Sequence, residues 1–158
     1  DSVFISHNHW DHIGGLSIIP DNHPVKIFVP DAFDNAEIQE KKGEAMIRCQ
    51  EAGEIFDNFF TTGELKNIEQ SLVVRLSETE TAVVVGCSHP GVGEILGAAS
   101  AFGTVTALVG GLHGFDEFDL VNELTYICPT HCTRYIDEIA FRFPQKYIPG
   151  GAGKVIDL

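Results

Sequence analysis

What this sequence has little of narrows what it can be. Lysine and arginine number 10 against 23 aspartates and glutamates, a formal net charge of −13 over 158 residues. So acidic a chain has no basic stripe with which to neutralise a run of phosphates, and no nucleic-acid partner is expected. The charge reads first as an acidic, soluble surface, and it leaves room for a small anionic substrate held through metal ions. Cysteine is sparse. The four residues Cys49, Cys87, Cys128 and Cys132 show no disulfide-scaffold spacing, and Cys128-Pro129-Thr130-His131-Cys132 is not a C-x-x-C pair. A reduced, cytoplasmic setting is therefore expected. Long apolar runs are missing too: residues 81–86 and 104–111 are far too short to cross a bilayer, so no membrane partner is expected. The chain opens on Asp1-Ser2-Val3, which reads as part of a core strand and not as a leader. There is no nucleophile elbow and no P-loop, which argues against covalent serine catalysis and a Walker-type nucleotide site.

What is present is a core-forming composition, 44% hydrophobic and 9% aromatic, sized for one domain or most of one over residues 1–158. Residues 2–6 read as a buried strand, followed by a short helix near 15–19 and a second strand at 25–29. Asp31 is placed to cap a helix from Ala32 towards Ala52, with Gly43 as its weak point. Residues 55–60 read as one short strand or edge segment, 61–64 as a turn, and 71–76 with 82–85 as a hairpin. Thereafter strand, polar loop and helix alternate. Strands are expected at 105–109 and 126–128, helices near 93–102, 118–124 and 134–143, and a last strand near 155–158. That alternation is the pattern of an α/β layer.

The densest chemistry lies in His7-Asn8-His9-Trp10-Asp11-His12, directly after Val3-Phe4-Ile5 and before Gly14-Gly15. In an extended segment alternate side chains share a face, so His7 and His9 can point the same way. Asp11 and His12 follow where the chain should turn into a helix. Imidazoles and a carboxylate gathered this way suit a borderline metal such as zinc. Of the seven histidines only His23 lies away from both this motif and a strand end. His89, His113 and His131 each follow a β run, and open α/β sheets bind ligands beyond the carboxyl ends of their strands. Two divalent ions held about 3.5–4 Å apart would deprotonate a bridging water and polarise a carbonyl or phosphoryl oxygen. Zinc, iron or manganese would each suit such ligands.

The stretch His7–Gly15 resembles the signature of the metallo-β-lactamase superfamily. Thr62-Gly63-Glu64, Gln70-Ser71-Leu72-Val73-Val74, Gly86-Cys87-Ser88-His89-Pro90-Gly91, Gly110-Gly111-Leu112-His113 and Pro129-Thr130-His131-Cys132-Thr133 follow in order. They are similar to a subgroup named for dihydropterin ribofuranosylaminobenzene-phosphate synthase. The resemblance implies an αβ/βα sandwich, with two mixed sheets face to face, helices outside and metals at one edge. It implies that His7, His9 and His89 hold a first metal and that Asp11, His12 and His131 hold a second. Asp11 and His113 are the catalytic candidates, His113 as a further ligand or as a proton donor to the leaving group. Trp10 stands between ligands, as a pocket wall or as simple packing.

Two departures from the family pattern shape the expectation. The usual bridging aspartate is absent from Gly86-Cys87-Ser88-His89. His89 is read as taking its place, Glu64 and Asp116 are further substitutes, and Cys87 reads as a small buried residue. The strands that normally precede the motif are also absent, and the stretch between Glu64 and Gln70 is short. A partial domain is therefore expected, its open edge covered by association into a homo-oligomer. The function implied is a metal-dependent hydrolase of an ester, lactone or phosphoester of a small molecule. A pterin-pathway synthase and a non-catalytic metal-binding remnant are the alternatives.

Overall fold

The computed structural model describes residues 1–20, 24–42 and 45–158; His23 and Gly43, both singled out above, lie outside the described residues. Strands β1 (Ser2–Phe4), β2 (Lys26–Pro30) and β3 (Met46–Cys49) form a small sheet in that order, parallel throughout. The larger sheet follows chain order through β4 (Gly53–Phe56), β5 (Phe59–Thr61), β6 (Leu72–Arg75), β7 (Glu80–Val85), β8 (Thr104–Gly111) and β9 (Tyr126–Thr130). It is mixed: β4 to β7 pair antiparallel, while β7, β8 and β9 run parallel.

Helices cover the sheets. α1 (Trp10–Ile13) and α2 (Ala36–Lys42) belong to the small sheet, whose core gathers Ile5, Ile13, Leu16, Ile27, Val29 and Phe33. β2 lies between two strands, and its Ile27, Phe28 and Val29 are all buried, as a parallel strand covered on both faces should be. α3 (Val92–Ala99) and α4 (Ile136–Arg142) pack on the larger sheet. α3 buries Val92, Ile95 and Ala99, one stripe at helical spacing, into the cluster that holds Val83, Leu108, Ile127 and Ile139. The two sheets meet where Phe28 stands edge-on to Phe56, ring centroids 5.3 Å apart.

Three local expectations change. The helix read over residues 32–52 is only α2, and Met46–Cys49 is a strand. Asn35, not Asp31, supplies the cap: its Oδ1 accepts the Ile38 N–H at 3.1 Å. Met46 to Cys49 then satisfy the otherwise free edge of β2, pairing with Ile27 to Pro30. The loosely periodic apolar positions could not hold one helix across both. Residues 55–60 belong to two strands, turned at Asp57 and Asn58, where Asn58 takes φ 69°, a left-handed value that asparagine tolerates. Residues 155–158 form no strand, and Val155 is exposed. The edge of β9 is met earlier instead. Ile127 donates to Lys146 O and Ile148 to Ile127 O, both at 2.9 Å, around a parallel bridge to Tyr147.

Among the described residues no helix is long and apolar enough to cross a membrane.

Candidate metal centre

The carboxyl ends of β7, β8 and β9 and the segment after β1 meet at one edge of the molecule. Each of the three parallel strands is followed by a non-glycine residue in left-handed backbone: Ser88 at φ 60°, His113 at 46° and His131 at 51°. Such conformations cost energy and concentrate where surrounding structure fixes side chains for function. Here they turn the chain sharply off the sheet.

Among the described residues four sets of donors arise, the ligand atoms of each lying within 4.8 Å of one another: His7, His9 and His89; Asp11, His12 and His131; His7, His12 and Cys87; and Cys87, His113 and Cys132. His7 Nε2 stands 3.0 Å from His9 Nδ1, and the His7 and His89 rings lie 4.8 Å apart. Asp11 Oδ2 is 3.1 Å from His131 Nε2 and 3.6 Å from His12 Nε2. The six residues named from the sequence as metal ligands therefore sit together, three and three. His113 adjoins them, its ring 4.7 Å from that of His89. Trp10 is 82% exposed and lies outside the packed edge.

Glu64 and Asp116 join none of these sets among the described residues. The Glu64 carboxylate accepts the Ala32 backbone N–H instead. Cys87, read from the sequence only as a small buried residue, is indeed buried, but its Sγ also lies 3.3 Å from His12 Nε2, between the two histidine sets. A thiol thus lies within reach of a histidine from each of the two sets.

Sequence reasoning missed Glu69, Gln70 and Ser6. Glu69 is fully buried. Its Oε1 accepts backbone N–H groups of Gly86, Cys87 and Ser88 at 3.0, 2.9 and 3.2 Å, and its Oε2 accepts that of His89 at 2.9 Å. One carboxylate therefore shapes the whole loop after β7, and Oε2 is also 3.9 Å from His7 Nδ1. Gln70 ties the sheets together: its Nε2 donates to Ile5 O at 2.8 Å and its backbone N to Ser6 O at 2.9 Å. Ser6 Oγ sits 3.0 Å from His7 Nδ1 and 3.4 Å from His12 Nδ1, orienting both rings from behind. The signals were a polar pair directly before the strand at residue 71 and the motif Gln70–Val74, and neither distinguishes a support of the site from a surface turn.

Burial pushes the His7 imidazole down to about 4, against the pull of Glu69 and with help from the His12, His9 and His89 rings. Burial lowers His12 and His89 as well. These rings are neutral near pH 7, the state a metal ligand requires. Partial desolvation works to raise the Asp11 carboxyl, but its own backbone hydrogen bond and the His12 and His131 charges outweigh that and lower it. Burial and a hydrogen bond with Cys132 raise the Cys87 thiol. The donor chemistry fits divalent cations, and one observation favours them directly. His89 Nε2 is buried with no hydrogen-bond partner, an orphaned lone pair or N–H.

A histidine-rich edge on a two-sheet α/β framework defines a class of candidate metal proteins, and comparison with known proteins narrows it. The family profile described as the metallo-β-lactamase superfamily matches residues 1–132, and the chain belongs to that superfamily. It is similar to the 7,8-dihydropterin-6-methyl-4-(beta-D-ribofuranosyl)-aminobenzene-5'-phosphate synthase of Methanocaldococcus jannaschii, 26% identical over 219 positions that span 99% of this chain and 74% of the relative. Those 219 positions exceed the 158 residues here, so the relative carries additional residues within the matched span. A crystal structure of a metal-dependent hydrolase of the β-lactamase superfamily shares the fold, with a TM-score of 0.78 over 99% of this chain and 78% of that one at 24% identity.

Proposed function

We propose that this chain is a metal-dependent hydrolase acting on an ester, lactone or phosphoester bond of a small anionic molecule. The observation that carries the reading is the pairing of two donor sets at one edge, with the buried, unpartnered His89 Nε2 in one of them. His7, His9 and His89 would hold one cation and Asp11, His12 and His131 a second, with zinc the first choice and iron or manganese also suited. Such cations would supply an acidified water as nucleophile and Lewis acidity for the developing negative charge.

The chain's own groups do the rest. Ser6 and Glu69 hold the rings and the loop from behind, so the donors need little reorganisation. Asp11, 3.1 Å from His131, holds that ring in position before a cation is bound. His113, exposed beside His89, hands a proton to the leaving oxygen. A recess of about 320 Å³ opens beside His12 and His131, walled by Phe4, Leu72 and Val85, and has room for an apolar part of a small substrate.

The test is a panel of phosphodiesters, lactones and thioesters with added Zn²⁺ or Mn²⁺, run alongside metal analysis. Turnover with about two metals per chain, abolished in His7→Ala, supports the reading. Turnover unchanged in His7→Ala would refute the site, and one metal or none without turnover would favour a non-catalytic metal-binding domain. The similarity to the named pterin-pathway synthase favours a second reading, in which the same donors bind a leaving phosphate while a new bond forms. Mass spectrometry of reactions on phosphorylated pterin-type substrates separates the two, because synthesis yields a joined product without net water addition.

A further inference from the structure

Two thiols stand beside the histidine sets, and the hydrolytic reading has no role for one of them, Cys132. It is half-buried after His131, and its Sγ completes a further group with Cys87 and His113, the donor atoms of all three within 4.8 Å of one another. The three residues arrive on the ends of neighbouring parallel strands, Cys87 after β7, His113 after β8 and Cys132 after β9. Their loops are tied together. Arg134 N donates to His113 O at 2.7 Å, and Leu112 N to Thr133 Oγ1 at 2.9 Å. Ser88 Oγ donates to Gly111 O at 2.9 Å, joining the first loop to the second. Gly111 allows the loops to approach this closely: a Cβ there would run into the Gly86 carbonyl oxygen and come within 2.8 Å of Cys132 Sγ.

Two sulfurs and one imidazole nitrogen make a softer donor set than either histidine group, and soft donors select thiophilic cations. We propose that Cys87, His113 and Cys132 form a third metal position, selective for thiophilic divalent cations, whose filling silences the neighbouring centre. Binding forms two metal–sulfur bonds and one metal–nitrogen bond. The two thiol protons pass to water, and no electron is transferred. The bound cation ties up His113, so it cannot give a proton to a leaving group, and it draws Cys87 away from His12. The silencing step rests on the hydrolytic reading above; the binding step does not.

The probe is Cd²⁺, titrated into the chain already loaded with zinc. Three signals are read: metal content after desalting, the sulfur-to-cadmium charge-transfer band, and turnover where a substrate has been found. The expected result is one further equivalent of metal with a two-thiolate signature in cadmium NMR. In Cys132→Ser that equivalent binds at least about tenfold more weakly, while the zinc content, the melt and the basal turnover stay unchanged. Cys132→Ala behaves the same way, which separates loss of the ligand from any effect of the serine hydroxyl. A third equivalent with an undiminished thiolate signature in Cys132→Ser would overturn the proposal, as would no third equivalent in the unsubstituted chain. Failure of zinc to bind at all would contradict the hydrolytic reading, and the cadmium signature would still be read on its own.

Discussion

The two sheets contribute to the candidate centre on unequal terms. The larger sheet presents Cys87, His89, His113 and His131 from the ends of three adjacent parallel strands, backed by a cluster of fourteen buried apolar residues. The small sheet presents His7, His9, Asp11 and His12 just past a three-residue strand, above a cluster in which six of the described residues are buried. One half of the site is therefore built into a robust framework. The other half is held by tertiary ties: Gln70 to Ile5 O, Gln70 N to Ser6 O, and Ser6 behind the rings. There polar ties across elements stand in for apolar burial, whereas on the larger sheet the loop after β7 has both the apolar cluster beneath it and the Glu69 carboxylate. Cations seated between the halves would add a staple that the small sheet needs and the larger one does not.

The strongest challenge to this contrast is Glu69→Ala. It leaves four backbone N–H groups around residues 86–89 without their acceptor, three of them on Oε1. Loss of about 3–5 kcal/mol in urea unfolding is expected, because buried donors would lose a charged partner. If the larger sheet's loops kept their amide protection in this variant, the robustness assigned to them would come from elsewhere.

Acid comes next. In the metal-free folded chain His7 resists protonation down to about 4, against an ordinary value of 6.5. The unfolded chain takes up that proton first, so stability falls as pH drops through this window and levels off below it. Up to about 3 kcal/mol is at stake from His7, and His12 and His89 act in the same direction. Melts at pH 7.5 and pH 5 read the difference. An unchanged melting point would mean that these rings are not buried neutral. Gln70→Leu should cost about 1–3 kcal/mol, since the carbonyl of Ile5 and the hydroxyl of Thr61 each lose a partner. Hydrogen exchange should rise around residues 2–6 while β7 to β9 stay protected. Equal loosening in both sheets would erase the contrast. Smallest of all, Trp10→Ala should change stability by less than about 0.5 kcal/mol, because the ring is 82% exposed. A larger loss in the melt would show that it packs against more than solvent.

The same inequality governs what the sequence discloses. The three parallel strands after residue 80 are legible, because each pairs an apolar β run with a histidine just beyond it. The spacing of His7 to His12 is equally direct. The small sheet is harder. Met46–Cys49 carries no strong alternation, and its strand character comes from the free edge of β2, a long-range partner that no local window contains. Glu69 is hidden for a similar reason. Its role depends on four amides that lie 17 to 20 residues further along. Cys87 is visible as a residue but not as a neighbour of His12, 75 positions away. Local pattern marks donors well, whereas their supports are assembled only by the fold.

The central claim is that the paired donor sets are metal sites. Anomalous diffraction from crystals of the chain with about two equivalents of Zn²⁺ tests it most directly. The account predicts one peak among His7, His9 and His89 and a second among Asp11, His12 and His131, with Cys87 close to the second. Peaks elsewhere, or none at this edge in a zinc-replete crystal, would contradict it.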